Sequence, residues 1–247
     1  MLCGRNGVFC GGVMISKCCI LTAAHCLKGQ SANDEFNTTR ITSLKICLGR
    51  ACGNCNHGYY DPKNRRNTKK AQCFKAHRIK IHPGYNETTF ENDIAIVQLR
   101  PGKCIKCVAS SASPVCLPVA IRDGPYLQPG SKAWVSGWGE IREERGLSYC
   151  LRKGRTEIVD QDRCRAQHAR HSYIVSKDQM CALDENGPCT GDSGGPLIVK
   201  NQQYENRFVL VGLVSWGIGC GSNETYGVYS NVSHFVDWIY QKCIDYK

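Results

Sequence analysis

The sequence predicts an all-β protein built from antiparallel sandwiches or barrels. Short runs rich in β-branched residues recur along the chain, glycine and proline separate them, and no helical blocks alternate with them. In chain order the runs are 12–21, 43–48, 76–81, 94–99, 132–136, 155–159, 196–199, 208–216 and 227–232. The first ends directly on T-A-A-H-C, and the fourth opens from E-N-D. The stretch between the second and third, 47–73, holds four cysteines, many lysines and asparagines, and little apolar content. It reads as an insertion stapled by disulfides, since it could not bury a core of its own. Leu197, Ile198 and Val199 follow a glycine-rich turn and predict a buried strand. The clearest helix is the last segment: Ser233 is placed to cap it, Asp237 complements its positive end, and Phe235, Ile239 and Cys243 recur on one face.

At 247 residues and 42% hydrophobic content, the chain has one large core or two small ones packed together. The longest apolar run, 208–216, is too short to span a bilayer. Eighteen cysteines call for disulfides or metal sites. Only Cys52/Cys55 and Cys104/Cys107 have C-x-x-C spacing, and no paired histidines follow at finger distance, so disulfides are favoured. Together with N-x-S/T sequons at Asn37, Asn86, Asn223 and Asn231, they place the chain in a secretory or extracellular setting. No export signal is legible: the apolar segment 13–21 is broken by Lys17, so the chain is expected to be cut from a longer precursor or to start at a misplaced position.

The formal net charge is +11, and between Phe36 and Asn86 Asp61 is the only acid. A solvated basic loop at 50–80 is the plain reading, and a docking surface for an acidic protein or a sulfated glycan is the sharper one. Nucleic acid is not expected, because no binding motif is present.

Three islands carry chemistry. T-A-A-H-C puts His25 after a strand, E-N-D-I-A-I-V puts Asp93 before one, and G-D-S-G-G-P puts Ser193 in a tight turn. A serine hydroxyl is a poor nucleophile at neutral pH and needs a base in reach and a group to orient that base. Each island alone is an ordinary turn or strand end; jointly, in the order His, Asp, Ser, they supply the three roles.

These residues resemble the chymotrypsin/trypsin family of serine endopeptidases. F-C-G-G at 9–12, V-C-L-P at 115–118, V-S-G-W-G at 135–139, M-C-A at 180–182, V-S-W-G at 214–217 and G-V-Y-S-N-V at 227–232 extend the resemblance. It implies two perpendicular six-stranded antiparallel β-barrels with a C-terminal α-helix, as one peptidase domain over 1–247. The barrels would divide near 115/116, with the active site in the cleft between them. It also implies that His25 is the general base, Asp93 its orienter and Ser193 the nucleophile, with the N–H groups of Gly191 and Ser193 as oxyanion hole. Ser215, Trp216 and Gly217 would pair with substrate backbone. Implied disulfides are Cys10–Cys26, Cys164–Cys181 and Cys189–Cys220, with Cys18–Cys104 by analogy to some relatives. No cofactor and no metal, calcium included, is implied.

Within the resemblance, Gly187 floors the specificity pocket and Gly217 and Gly227 wall it, which implies a large apolar P1 residue. Glu185 or Glu224 near the pocket would instead restore basic preference. Tyr226 stands where tyrosine accompanies sodium binding in some relatives. Asp192 is expected to pair with an amino terminus released by activation cleavage, but only nine residues precede Cys10 and none form an I-V-G-G-type sequence. Cys116 is expected to bond to an upstream segment. The first barrel is expected to lack its first strand, and the chain alone to be weakly active or inactive. A catalytically silent homologue acting as a binding module competes with the enzyme.

Overall fold

The computed structural model describes residues 1–4, 7–28, 44–49, 52, 72–105, 113–118, 127–140, 146–183, 187–201, 207–220 and 225–244. Two antiparallel sheets dominate it. The first contains β1 (Leu2–Gly4), β2 (Gly7–Cys10), β3 (Val13–Met14), β4 (Cys19–Thr22), β5 (Lys45–Leu48), β6 (Gln72–Ile81) and β7 (Ala95–Leu99), in the order β2-β1-β5-β6-β7-β4-β3. β2 and β3 stand at opposite ends of that order, yet only Gly11 and Gly12 separate them in sequence. One segment therefore closes the sheet on itself, and counted once it leaves six strands. A Cβ on Gly12 would sit 2.5 Å from Leu2 Cδ1 and 3.3 Å from the Leu21 carbonyl, so the chain crosses tightly at this point.

The run 12–21, read as one strand, is a hairpin. Ser16 Oγ accepts the N–H groups of Cys18 and Cys19 and turns the chain, so Val13 faces Leu21.

The second sheet contains β8 (Lys132–Gly137), β9 (Arg152–Glu157), β10 (Gln179–Leu183), β11 (Pro196–Lys200), β12 (Phe208–Trp216) and β13 (Tyr226–Asn231), in the order β10-β13-β12-β11-β8-β9. Its ends meet: Ile158, just past β9, bridges Ala182 of β10, and the Val159 N–H donates to Cys181 O. Each sheet encloses its own core, one around Ile20, Ile46, Val97 and Leu99, the other around Val135, Leu197, Val211 and Tyr229. A third cluster joins them across the seam, with Leu21, Ile94 and Ile96 from one side and Leu210, Leu213 and Phe235 from the other.

Three helices complete the described fold: α1 (His25–Lys28), α2 (Gln161–Ala169) and α3 (Val236–Ile244), the last entered through a 3-10 turn at Val232–Phe235. Asn231, not Ser233, caps that turn, its side chain accepting the Ser233 N–H. Phe235 and Ile239 are buried, as the one-face pattern predicts, and Gln98 Nε2 donates to the Lys242 carbonyl.

Seven disulfides join described residues. Cys10–Cys26, Cys164–Cys181, Cys189–Cys220 and Cys18–Cys104 are present. Cys19–Cys243, Cys47–Cys73 and Cys52–Cys150 carried no pairing from sequence. The adjacent Cys18 and Cys19 thus bond in different directions. Cys52–Cys150 ties the insertion at 47–73 to the loop before β9, across the two sheets. Among the described residues no helix is long and apolar enough to cross a membrane.

Candidate active site

The seam is assembled from loops of both sheets. His25 begins α1, directly after β4, and Asp93 lies two residues before β7. β4 and β7 pair, which brings the two residues to the same end of the sheet. Asp93 is fully buried. An isolated buried carboxylate would cost several kcal/mol, and here it is compensated by donors. Oδ1 accepts the His25 backbone N–H at 2.9 Å, while Oδ2 accepts from His25 Nδ1 at 2.8 Å and from Ser215 Oγ at 2.6 Å. The Asp93 carbonyl accepts the Ser230 hydroxyl at 2.7 Å. With Nδ1 held at the carboxylate, Nε2 is the ring nitrogen on the far side of the imidazole.

The second sheet also holds the loop leading into Asp93. Phe90 and Asn92 both have a φ of 54°, unusual for non-glycine residues. Asp178 Oδ2 accepts the Asn92 N–H at 2.6 Å, and Gln179 Nε2 donates to Phe90 O at 3.0 Å. Phe90 in turn packs edge-on against the His25 ring.

Ser193 sits in a turn that few other sequences could form. Gly191 and Gly194 have φ of 95° and 74°. A Cβ on Gly194 would lie 2.2 Å from Thr22 Oγ1, and one on Gly11 would lie 2.8 Å from the Gly195 backbone. The Ser193 carbonyl accepts the Gly11 N–H at 2.8 Å, and Gly194 N–H donates to Val214 O. Cys26 Sγ lies 3.9 Å from His25 Nε2 and 3.6 Å from the Ser193 carbonyl oxygen, so the Cys10–Cys26 bond packs against both islands. Ser193 Oγ makes no hydrogen bond to a described residue, His25 Nε2 included. The N–H groups of Gly191 and Ser193 likewise donate to no described residue.

Asp192 points away from the seam, toward 137–139. Its Oδ1 accepts the Gly139 N–H at 2.6 Å and its Oδ2 the Cys189 N–H at 3.1 Å. Gly137 and Gly139 are glycines of necessity, since a Cβ on either would overlap this carboxylate. Burial pushes its pKa up, and the two N–H donors only partly oppose the shift. Among the described residues no cation is paired with it.

Gly217 and Gly227 face one another, a Cβ on the first falling 4.0 Å from the Cα of the second. Gly187 is half-buried, in the segment that Cys189–Cys220 ties to the chain beyond Gly217. Trp216 packs on His168 and Tyr173. His168 was not singled out from sequence; it is fully buried, its Nε2 lies 3.0 Å from Tyr226 O, and burial lowers its pKa. It lies with Cys164 and Cys181, as His25 lies with Cys10 and Cys26, but these sulfurs are joined in disulfides and offer no thiolate to a metal.

Asn86 is exposed, its side chain accepting the Thr88 and Thr89 N–H groups, whereas the oxygen of Asn231 is spent as a helix cap. Asn37, Asn223, Glu185, Glu224, Lys69 and Lys70 lie outside the described residues. Cys116 is the free cysteine among the described residues and is half-buried.

Two closed β-sheets with a buried Asp–His pair at their seam and a glycine-cornered serine beside it define the scaffold of a serine protease domain. The family model for trypsin matches residues 2–239, and the chain belongs to the trypsin family. It is 36% identical to human mannan-binding lectin serine protease 1 over 97% of its own length and 32% of that protein. It is 31% identical to pig coagulation factor XII over 96% of its length and 36% of that protein. The chain therefore spans about a third of the length of these relatives.

Proposed function

We propose that this chain is the catalytic domain of an extracellular serine endopeptidase, one peptidase domain over 1–247. The observation that carries the reading is the set of three donors on buried Asp93, two of which, the His25 backbone N–H and Nδ1, hold the imidazole. In this mechanism His25 Nε2 takes the Ser193 hydroxyl proton as Oγ attacks the scissile carbonyl. The N–H groups of Gly191 and Ser193, which donate to no described residue, receive the developing oxyanion. His25 then gives its proton to the leaving amine, and water releases the acyl group by the same steps in reverse. Asp93 orients the imidazole through Nδ1 and stabilises the imidazolium.

In this reading Ser215, Trp216 and Gly217 line the cleft, Gly187 floors the specificity pocket, and Gly217 and Gly227, which face one another, wall it for a large apolar P1 side chain. Asp192 is read as an activation switch awaiting an ammonium, which fits a carboxyl pushed up by burial with no cation paired to it among the described residues. Cys116, free among the described residues, is the attachment point for an upstream segment of a longer zymogen. The disulfides support the extracellular setting.

The test is a P1-scanning peptide library incubated with a form extended upstream to a native activation site and cleaved there. Cleavage after Phe, Tyr or Leu that disappears in Ser193→Ala is the expected result. Cleavage after Arg or Lys overturns the pocket reading alone. Absence of both turnover and fluorophosphonate labelling of Ser193, with the new amino terminus verified, moves the protein to the binding-module class.

A further inference from the structure

The segment 90–93 runs on into β7 of the first sheet, yet residues of the second sheet and the loop before it hold it in place. Four hydrogen bonds reach it from that side. Gln179 Nε2 donates to Phe90 O, Asp178 Oδ2 accepts the Asn92 N–H, Ser230 Oγ donates to Asp93 O, and Ser215 Oγ donates to Asp93 Oδ2. The last two act on Asp93 itself. The first two act on Phe90 and Asn92, both of which have a left-handed backbone with a φ of 54°. A phenylalanine is unfavourable there in an isolated chain, so the conformation persists only where neighbours hold it.

Asp178 is itself anchored. It stands one residue before β10, is 6% exposed, and enters no ion pair among the described residues. Its carbonyl accepts the Asn231 N–H at 2.8 Å, and Ser176 Oγ donates to its Oδ1. Gln161, at the start of α2, donates through Nε2 to the carbonyls of Ser176 and Gln179, which flank it in sequence. Oδ2 is left to accept the Asn92 N–H, and at 2.6 Å this bond is as short as that from Ser215 to Asp93. Any displacement of Asp178 is therefore passed to the peptide next to the carboxylate that holds His25.

We propose that Asp178 is a positioning residue for catalysis: by fixing the Asn92 peptide it sets where the Asp93 carboxylate meets His25. The docking of the two sheets thereby sets the geometry of the site. This role rests on the reading of His25, Asp93 and Ser193 as a triad. Asp178 acts through Asn92 and Asp93 and touches neither substrate nor the reacting atoms. A misplacement of about 1 Å takes the imidazole out of line, which costs turnover more than substrate binding.

The test compares Asp178→Ala, Asp178→Asn and Thr156→Val. Asparagine keeps an acceptor oxygen for the Asn92 N–H, and Ser176 Oγ can accept from its amide. Thr156→Val removes a hydroxyl bond to Leu183 O, elsewhere in the second sheet. In the activated, upstream-extended form, Asp178→Ala should lower kcat by about 10- to 100-fold with KM held within about twofold. Asp178→Asn should recover most of that loss, and Thr156→Val should lower Tm without it. In the 247-residue chain, NMR follows exchange of the His25 amide proton, which Asp93 Oδ1 accepts. Exchange should be about tenfold faster or more in Asp178→Ala and unchanged in the other two. Unchanged kcat or unchanged His25 exchange in Asp178→Ala overturns the proposal. So does an equal kcat loss in Thr156→Val, or an asparagine variant as impaired as the alanine one. If thermal melts show Asp178→Ala unfolded, Ser176→Ala, which releases Oδ1 alone, is read in its place for the same changes at smaller size. A parent that turns over no peptide counts against the protease reading instead, and His25 exchange then decides the role of Asp178 by itself.

Discussion

Asp93 and Asp192 are both acids in short loops beside the seam, the first fully buried and the second half-buried, and their surroundings differ sharply. Asp93 receives two backbone or ring N–H groups and a hydroxyl on its carboxylate, and a second hydroxyl on its carbonyl. Asp192 receives two backbone N–H groups, has no paired cation among the described residues, and is pushed toward its protonated form by burial. The Asp93 carboxylate accepts three donors already in the fold, whereas the Asp192 carboxylate accepts two and burial outweighs them.

The sharpest way to break the contrast is Asp93→Asn in the activated, upstream-extended form. It should lower kcat/KM by about 10⁴-fold, because the amide leaves His25 in the wrong tautomer and without its counter-charge. Asp192→Asn in the same form should cost about 10²- to 10³-fold, through loss of the ordered oxyanion donors. A thermal melt of Ser215→Ala should show a loss of about 2 kcal/mol, the size of a buried hydrogen bond to a charged group.

Asp192→Asn should behave oppositely in the 247-residue chain. A folded-state pKa raised above 3.8 means that the native state holds its proton more tightly than the unfolded one, so stability falls as pH rises from about 3.8 through the folded value. At neutral pH the ionised carboxylate is therefore a penalty, and the amide should raise Tm. The smallest effect belongs to His168, whose pKa is lowered from 6.5 by burial. Below pH 6.5 the unfolded chain takes up this proton first, so stability falls with pH until the folded value is reached. Tm measured against pH should show this acid-side slope reduced in His168→Gln.

Much of this contrast was legible in the sequence. The three islands and the glycines around Ser193 and Asp192 mark positions where only certain backbones fit. The supports of Asp93 were not legible. Ser230 carries no local signal, and Ser215, read only as a cleft residue, reaches Asp93 through tertiary pairing of β12 and β13. β10, Q-M-C-A-L, lacks β-branched residues and is a strand because β13 and the Cys164–Cys181 bond hold it. The helix α2, Q-D-R-C-R-A-Q-H-A, has almost no apolar stripe; its one legible signal is Asp160, whose carboxylate caps the Asp162 and Arg163 N–H groups. β9 is polar and mostly exposed, and the register of β8 imposes its conformation.

The Cys19–Cys243 bond spans 224 positions, nearly the whole chain. A single backbone nick anywhere between those two residues releases no fragment, because both new ends remain on one covalent circuit through the sulfurs. For a molecule proposed to cut peptide bonds, whose commonest neighbour at high concentration is its own copy, this makes self-inflicted damage in a surface loop survivable. It also makes such damage invisible on a gel until the sulfurs are reduced.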